Sequence, residues 1–168
     1  MKAEYRDILI IDGEQVQSDQ KTVKLPFTHL SARAIIIRRQ DGAILGALHR
    51  TGGKYALPGG AIGAIDDGES SESALVRELE EEGIKLIGSD VGWQERLAVD
   101  YFSGYSELCL WYLFLVDGVE LSKDEELLDV RWISQEENPW YPGNREKFLL
   151  ALDRYLPRQI NKAPDKES

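Results

Sequence analysis

The stretch that decides the fold is Gly68-Glu69-Ser70-Ser71-Glu72-Ser73-Ala74-Leu75-Val76-Arg77-Glu78-Leu79-Glu80-Glu81-Glu82-Gly83-Ile84. Residues 70–82 hold neither Gly nor Pro and are rich in Ala, Leu and Glu, so they are predicted to form a helix. Ser70 or Ser71 offers an N-cap oxygen, Glu72 suits the positive end of the helix dipole, and Gly83 supplies a stop. The segment 66–82 sets eight acids against one base, Arg77, and so carries seven of the chain's ten excess negative charges. At about 100° per residue, Glu78, Glu81 and Glu82 lie within roughly 100° of one another, while Glu80 points about 160° away from Glu82. Leu75 and Leu79 lie on the side of Glu82 and give the helix an apolar flank for a sheet. Three carboxylates on one face, with no Lys on the helix to relieve them, suit a hard divalent cation with oxygen ligands. The same run also reads as a solvated helix face, which is the commoner meaning of consecutive glutamates.

Outward from this helix, the 168 residues suit one domain with a real core, and an apolar fraction of 42% is too high for a disordered chain. A net charge of −10 argues against a nucleic-acid polymer as partner, yet an acidic cluster that collects cations can still bind phosphates through them. No apolar run reaches a membrane-spanning length, and Met1 to Asp7 lack a secretory apolar stretch. Cys109 is the sole cysteine and sits in an apolar run, so a reduced, cytoplasmic protein is expected. With only His29 and His49, carboxylates are expected to carry any chemistry.

Residues 5–11 read as a strand, and 32–38 with 43–49 as a hairpin around Gln40-Asp41-Gly42. Further strands are expected at 94–102, at 107–116 in the centre of the sheet, and at 129–134. Pro142-Gly143-Asn144 opens a last helix with Phe148, Leu149, Leu152, Tyr155 and Leu156 on one stripe, and Pro157 is expected to end it. Strands mixed around one helix, then a second helix, predict an α+β fold with a mixed sheet flanked by helices. Residues 1–157 are read as one domain with an N-terminal strand or arm, and 158–168 as a disordered tail.

The pattern Gly63-x5-Glu69-x7-Arg77-Glu78-Leu79-x-Glu81-Glu82, followed by Gly83-Ile84, resembles the signature of the Nudix hydrolases. Tyr55-Ala56-Leu57-Pro58-Gly59-Gly60 is similar to the aromatic-x-Leu-Pro-Gly-Gly that leads into it, and Val130-Arg131-Trp132 to a late strand of that family. Together the matches span residues 32–135. Two departures stand out. The loop from Gly60 to Glu69 carries a short insertion, and one residue is missing between Glu82 and Gly83. Counting back from Gly83 would make Glu80 and Glu81 the acidic pair but would lose Arg77 and Glu78, so the register is counted from Arg77. Glu82 then falls at the last helical position, where fraying would loosen its hold on a metal.

The resemblance implies an α/β/α sandwich that hydrolyses a phosphoanhydride in a nucleoside diphosphate-linked substrate, with one to three Mg²⁺ or Mn²⁺ ions. By motif position it implies Glu78, Glu81 and Glu82 as metal ligands, with Glu81 and Glu82 at the centre of catalysis. Glu69 and Arg77 are implied as a structural salt bridge, and Gly59 and Gly60 as points of close approach to the ligand. Glu125 or Glu126 is the candidate general base; an acidic solvated turn is the competing reading. Arg50, Tyr55 and Tyr101 are candidates for substrate contact. Tyr101 lies seventeen positions past Ile84, where some dinucleoside polyphosphate hydrolases of the family carry a Tyr. The proline that marks many ADP-ribose hydrolases is absent, since no Pro occurs between 59 and 138. The expected partner is a small nucleotide, with no membrane; family members are often homodimers. The competing function is a Nudix-like module that binds nucleotide with little or no turnover. A metal-buffering acidic helix is a third reading, and it leaves Arg77 and the Gly-Gly loop unexplained.

Overall fold

The computed structural model describes residues 8–12, 14–16, 26–63, 68–88, 95–122 and 127–160. In chain order the strands are β1 (Ile8–Ile11), β2 (Glu14–Val16), β3 (His29–Arg38), β4 (Ile44–His49), β5 (Tyr55–Ala56) and β6 (Gly59–Ala61). Helix α1 (Ser71–Glu81) precedes β7 (Ile84–Ile87), β8 (Glu95–Phe102), β9 (Glu107–Val116), β10 (Gly118–Leu121) and β11 (Leu127–Ile133), and α2 (Asn144–Ile160) ends the described chain.

The main sheet runs β11-β4-β3-β9-β8-β1-β2. β3 with β9 and β1 with β8 are parallel, and the other pairs along this path are antiparallel, so the sheet is mixed. β9 lies at the centre, as its unbroken apolar run predicts. Alternation along β3 sends its side chains to two cores. Ile35 and Ile37 pack with Trp140, Phe148 and Leu152 under α2, while Ala34 and Ile36 pack with Leu75 and Leu79 under α1. The molecule is therefore the expected α/β/α sandwich. Among the described residues no helix is long and apolar enough to cross a membrane.

The hairpin turn forms at Asp41-Gly42, with Gly42 at φ +71° and the Arg38 amide donating to the Ala43 carbonyl at 2.9 Å. Beyond it β3 and β4 pair only at Ile37 and Ile44. The chain from 55 to 61 fills the gap between them, bonding to β4 through β5 and to β3 through β6. This splay brings the Pro-Gly-Gly segment into the sheet beneath α1.

Several details differ from the sequence reading. The short antiparallel pair β7 and β10 was not anticipated; four-residue strands beside Gly83 and Gly118 give too little pattern to read. Leu149 is exposed, because α2 turns Lys147, Phe148 and Leu152 inward and leaves Leu149 on its outer side. α2 also continues through Pro157 to Ile160. Proline removes one amide donor, and within the last turn that loss does not stop the helix. Residues 158–160 are thus helical, and 161–168 lie outside the described residues.

Candidate active site

The site is built on β6. Arg33, Ala32 and Ser31 of β3 pair with Gly59, Gly60 and Ala61. Gly59 has φ +121°, and a Cβ there would meet the Ala32 carbonyl oxygen at 2.3 Å, so only glycine fits. At Gly60 a Cβ would stand 2.2 Å from Oε2 of Glu78. The helix carboxylates thus lie directly on a bare backbone. The Ala34 amide donates to the Pro58 carbonyl at 2.8 Å, and Nη1 of Arg33 donates to the carbonyls of Leu57 and Gly59 at 3.3 and 3.1 Å. The Leu57 amide donates to Oδ1 of Asn144 at 3.0 Å, which ties the start of α2 to the same segment.

α1 begins where Ser70 caps it, accepting from the Ser73 amide at 3.1 Å. The Tyr112 hydroxyl, buried on β9, lies 2.5 Å from the Ser71 hydroxyl and anchors that end to the sheet. Arg77 is the hub of the face. Its Nε and Nη2 donate to Glu69 at 2.9 and 3.3 Å, Nη1 donates to Glu78 at 2.9 Å and to both Glu81 oxygens at 3.1 and 3.2 Å, and Nη2 also reaches the Ala61 carbonyl. Glu69 in turn accepts from the Gly63 amide at 2.9 Å. These two donors, Arg77 first, hold the Glu69 carboxyl below its ordinary value, and the three carboxylates raise the guanidinium above its own.

Glu82 is the C-cap, one residue past α1, with Gly83 following at φ +69°. Despite lying at the helix end, its side chain is enclosed. Glu82 is buried at 8% exposure, Oε2 accepts from the Gly59 amide at 3.2 Å, and Oε1 lies 3.6 Å from Nε2 of His49. Glu80 is exposed on the outer face of the helix. Glu78 and Glu82 therefore face the glycine strand and Glu81 the solvent side of Arg77. Among the described residues no three acids converge as a ready cation cluster, because Arg77 bridges Glu78 and Glu81. The donor set itself, carboxylate oxygens beside bare backbone, fits a hard divalent cation.

The other candidates scatter. Tyr55 lies on the α2 side, with its hydroxyl bonded to Asp129, its ring 5.0 Å under the Arg131 guanidinium, and Nε of Arg131 donating to its oxygen at 3.2 Å. Burial, then the Asp129 carboxylate, raises its phenol. Tyr101 is not presented for stacking. It is buried in β8, two strands from β3, and its hydroxyl donates to the Pro26 carbonyl at 2.6 Å. Arg50 is exposed in the turn after β4. Glu125 and Glu126 lie outside the described residues. Sequence reading missed His49, Arg33 and Asn144. For His49 a signal existed: it shares the alternation of Leu45, which packs under α1.

An acidic helix clamped by one arginine onto a Gly-Gly strand, within an α/β/α sandwich, is the arrangement that the resemblance to the Nudix hydrolases implies. The chain belongs to the NUDIX domain family, whose match covers residues 28–152. It is 30% identical over 151 residues to the RNA pyrophosphohydrolase of Ectopseudomonas mendocina (strain ymp), covering 75% of this chain and 91% of that protein. An ADP-ribose pyrophosphatase from Streptococcus suis 89-1591 shares the fold, with TM-score 0.55, 21% identity, and coverage of 83% of this chain and 96% of the other. So does a bifunctional NMN adenylyltransferase/ADP ribose pyrophosphatase from Francisella tularensis, complexed with AMP and Mn ion, with TM-score 0.59 and 21% identity over 80% of this chain and 43% of that one. The protein is a pyrophosphohydrolase of the Nudix hydrolases.

Proposed function

We propose that this chain hydrolyses a phosphoanhydride in a small nucleoside diphosphate-linked substrate, using Mg²⁺ or Mn²⁺ held by Glu78, Glu81 and Glu82. The observation that carries the reading is the seating of Glu78 and Glu82 on Gly59 and Gly60, where no side chain intervenes between carboxylate and backbone. The divalent ion, when bound, neutralises phosphate charge and acidifies an attacking water. Glu82 supplies a buried, fixed carboxylate, and Glu78 a second one beside it. Glu81, the most exposed of the three, would take a cation carried in on the substrate's phosphates. Glu69 and Arg77 pin the 60–70 loop to the helix, so the glycine strand keeps its distance from α1. The exposed Arg50 follows His49 in the turn after β4 and is the candidate phosphate contact. Glu125 or Glu126 remains the proposed general base.

A second reading has one specific observation behind it, the RNA pyrophosphohydrolase relative. It would place the anhydride at the 5′ end of an RNA, against the handicap of a net charge of −10. Phosphate release from nucleoside triphosphates, dinucleoside polyphosphates, nucleotide sugars and a 5′-triphosphorylated oligoribonucleotide, with Mg²⁺ or Mn²⁺, separates the two. Glu81→Gln and Glu82→Gln are each expected to lower turnover at least tenfold with the melting temperature unchanged. Wild-type rates in both variants refute the metal assignment. Micromolar nucleotide binding with no turnover of any substrate would make the chain a binding module instead.

A further inference from the structure

Glu82 sits at the very end of α1, where its amide makes the last helical bond, to the Glu78 carbonyl at 2.9 Å, and no further turn covers its side chain. It is the residue after α1 and before the Gly83 turn, yet its carboxylate is buried. The groups that hold it come from elsewhere in the sheet. The Gly59 amide donates to Oε2, and that amide belongs to the peptide plane whose Pro58 carbonyl is held by the Ala34 amide at 2.8 Å. On either side of this plane the Leu57 and Gly59 carbonyls both accept from Nη1 of Arg33. One guanidinium therefore fixes the backbone before and after Pro58, and the plane between can present its N–H in only one direction. From the neighbouring strand, His49 ends β4 and sets Nε2 at 3.6 Å from Oε1.

We propose that His49 and Arg33 are positioning residues for Glu82, His49 acting on its carboxylate directly and Arg33 through the Gly59 peptide. The proposal rests on the reading of Glu82 as a metal-holding carboxylate. Its physical basis is that an outer set of donors orients a metal ligand and is worth about tenfold or more in metal affinity. Here that outer set adds to the single helical bond that holds Glu82 at the end of α1, next to the Gly83 turn.

The test is Mn²⁺ affinity, read from the free-ion electron paramagnetic resonance signal without substrate, together with kcat and KM on the nucleotide that the wild type turns over fastest. The variants are His49→Ala, His49→Gln, Arg33→Met and Glu82→Gln, each with a melting curve. Glu82→Gln, His49→Ala and Arg33→Met are expected to weaken Mn²⁺ binding about tenfold and to lower kcat with KM little changed. His49→Gln, which keeps a side-chain N–H donor, is expected to recover most of the loss. Wild-type Mn²⁺ affinity in His49→Ala, alongside weakened Glu82→Gln, overturns the positioning role and leaves the metal reading standing. Wild-type affinity in Glu82→Gln overturns that reading itself. A raised KM for His49→Ala at unchanged Mn²⁺ affinity assigns His49 to the substrate and also refutes the proposal. Should Arg33→Met fail to fold, the comparison of His49→Ala with His49→Gln decides alone.

Discussion

Lys147→Met is the sharpest probe of how α2 is held. Asp100 on β8 is fully buried, Lys147 on α2 is 7% exposed, and their charged groups are in direct contact between helix and sheet. Taking away the ammonium strands a carboxylate in the core, which costs about 3–5 kcal/mol. At about 2–4 °C per kcal/mol for a domain of this size, the melting temperature should fall by about 6–20 °C near pH 7.5. Burial raises the Asp100 carboxyl above 3.8 and Lys147 opposes that shift. The folded protein thus keeps this proton to a higher pH than the unfolded chain does, and the carboxyl's contribution to stability falls as pH rises through its folded value. Without Lys147 the carboxyl rises further, so the variant's deficit should be largest at neutral and alkaline pH and should shrink towards acid. The double variant Asp100→Leu/Lys147→Met, which replaces both charges by apolar side chains, should melt close to wild type. Melting curves of the two single variants and the double one, at two pH values, complete the cycle. A Lys147→Met shift under about 3 °C, a shift independent of pH, or a double variant as low as the sum of the singles would refute the reasoning.

Gly60→Ala places a methyl where the Glu78 carboxylate now lies, so kcat should fall at least tenfold with little loss of melting temperature, since a flexible side chain can move aside. Gly59→Ala meets the rigid Ala32 carbonyl at φ +121° and should instead cost about 3 kcal/mol, read by denaturant unfolding. Arg77 and Gly63 depress the Glu69 carboxyl below 4.5, so its bonds stabilise the protein above that value and are lost as the pH falls through its folded value. Wild type should therefore outlast Glu69→Gln at neutral pH, and their melting temperatures should converge below pH 4.5. Tyr101→Phe removes the bond to the Pro26 carbonyl and should lower the melting temperature by a few degrees, roughly the loss of one hydrogen bond, with KM unchanged for every nucleotide. A KM raised for all of them would return Tyr101 to the substrate.

The parts of the fold that were legible in the sequence are those written in local patterns. Ser70 and Gly83 bracket α1 as capping chemistry requires, and the apolar run of β9 announces a strand covered on both faces. What could not be read is what depends on pairings between distant segments. β5 and β6 are two and three residues long and exist only because β3 and β4 splay apart. Tyr101 carries the right residue type at a suggestive spacing, but its orientation is set by the pairing of β8 with β1 and β9, which no local pattern encodes. The pair Asp100–Lys147 joins residues 47 positions apart and is invisible to any periodicity.

The two irregularities of the acidic segment acquire a common meaning in three dimensions. Although α1 ends at Glu81, the Glu82 amide still donates to the Glu78 carbonyl at 2.9 Å, so Glu82 keeps its helical register with Glu78. The glycine strand matches that register from outside, since Gly59 and Gly60 are consecutive and meet Glu82 and Glu78 respectively. One strand therefore reads two carboxylates four positions apart, which is the spacing that puts them on one helical face. Counting from Gly83 would instead need Glu81 at the sheet, and Glu81 is exposed on the solvent side of Arg77. The longer loop before Glu69 is compatible with this arrangement because Arg77 grips Glu69 and the Ala61 carbonyl together, closing the loop at both ends whatever its length. The register is thus held by Arg77 and by the backbone of β6, so an insertion in the loop and a deletion at the helix end leave Glu78 and Glu82 facing the same glycines.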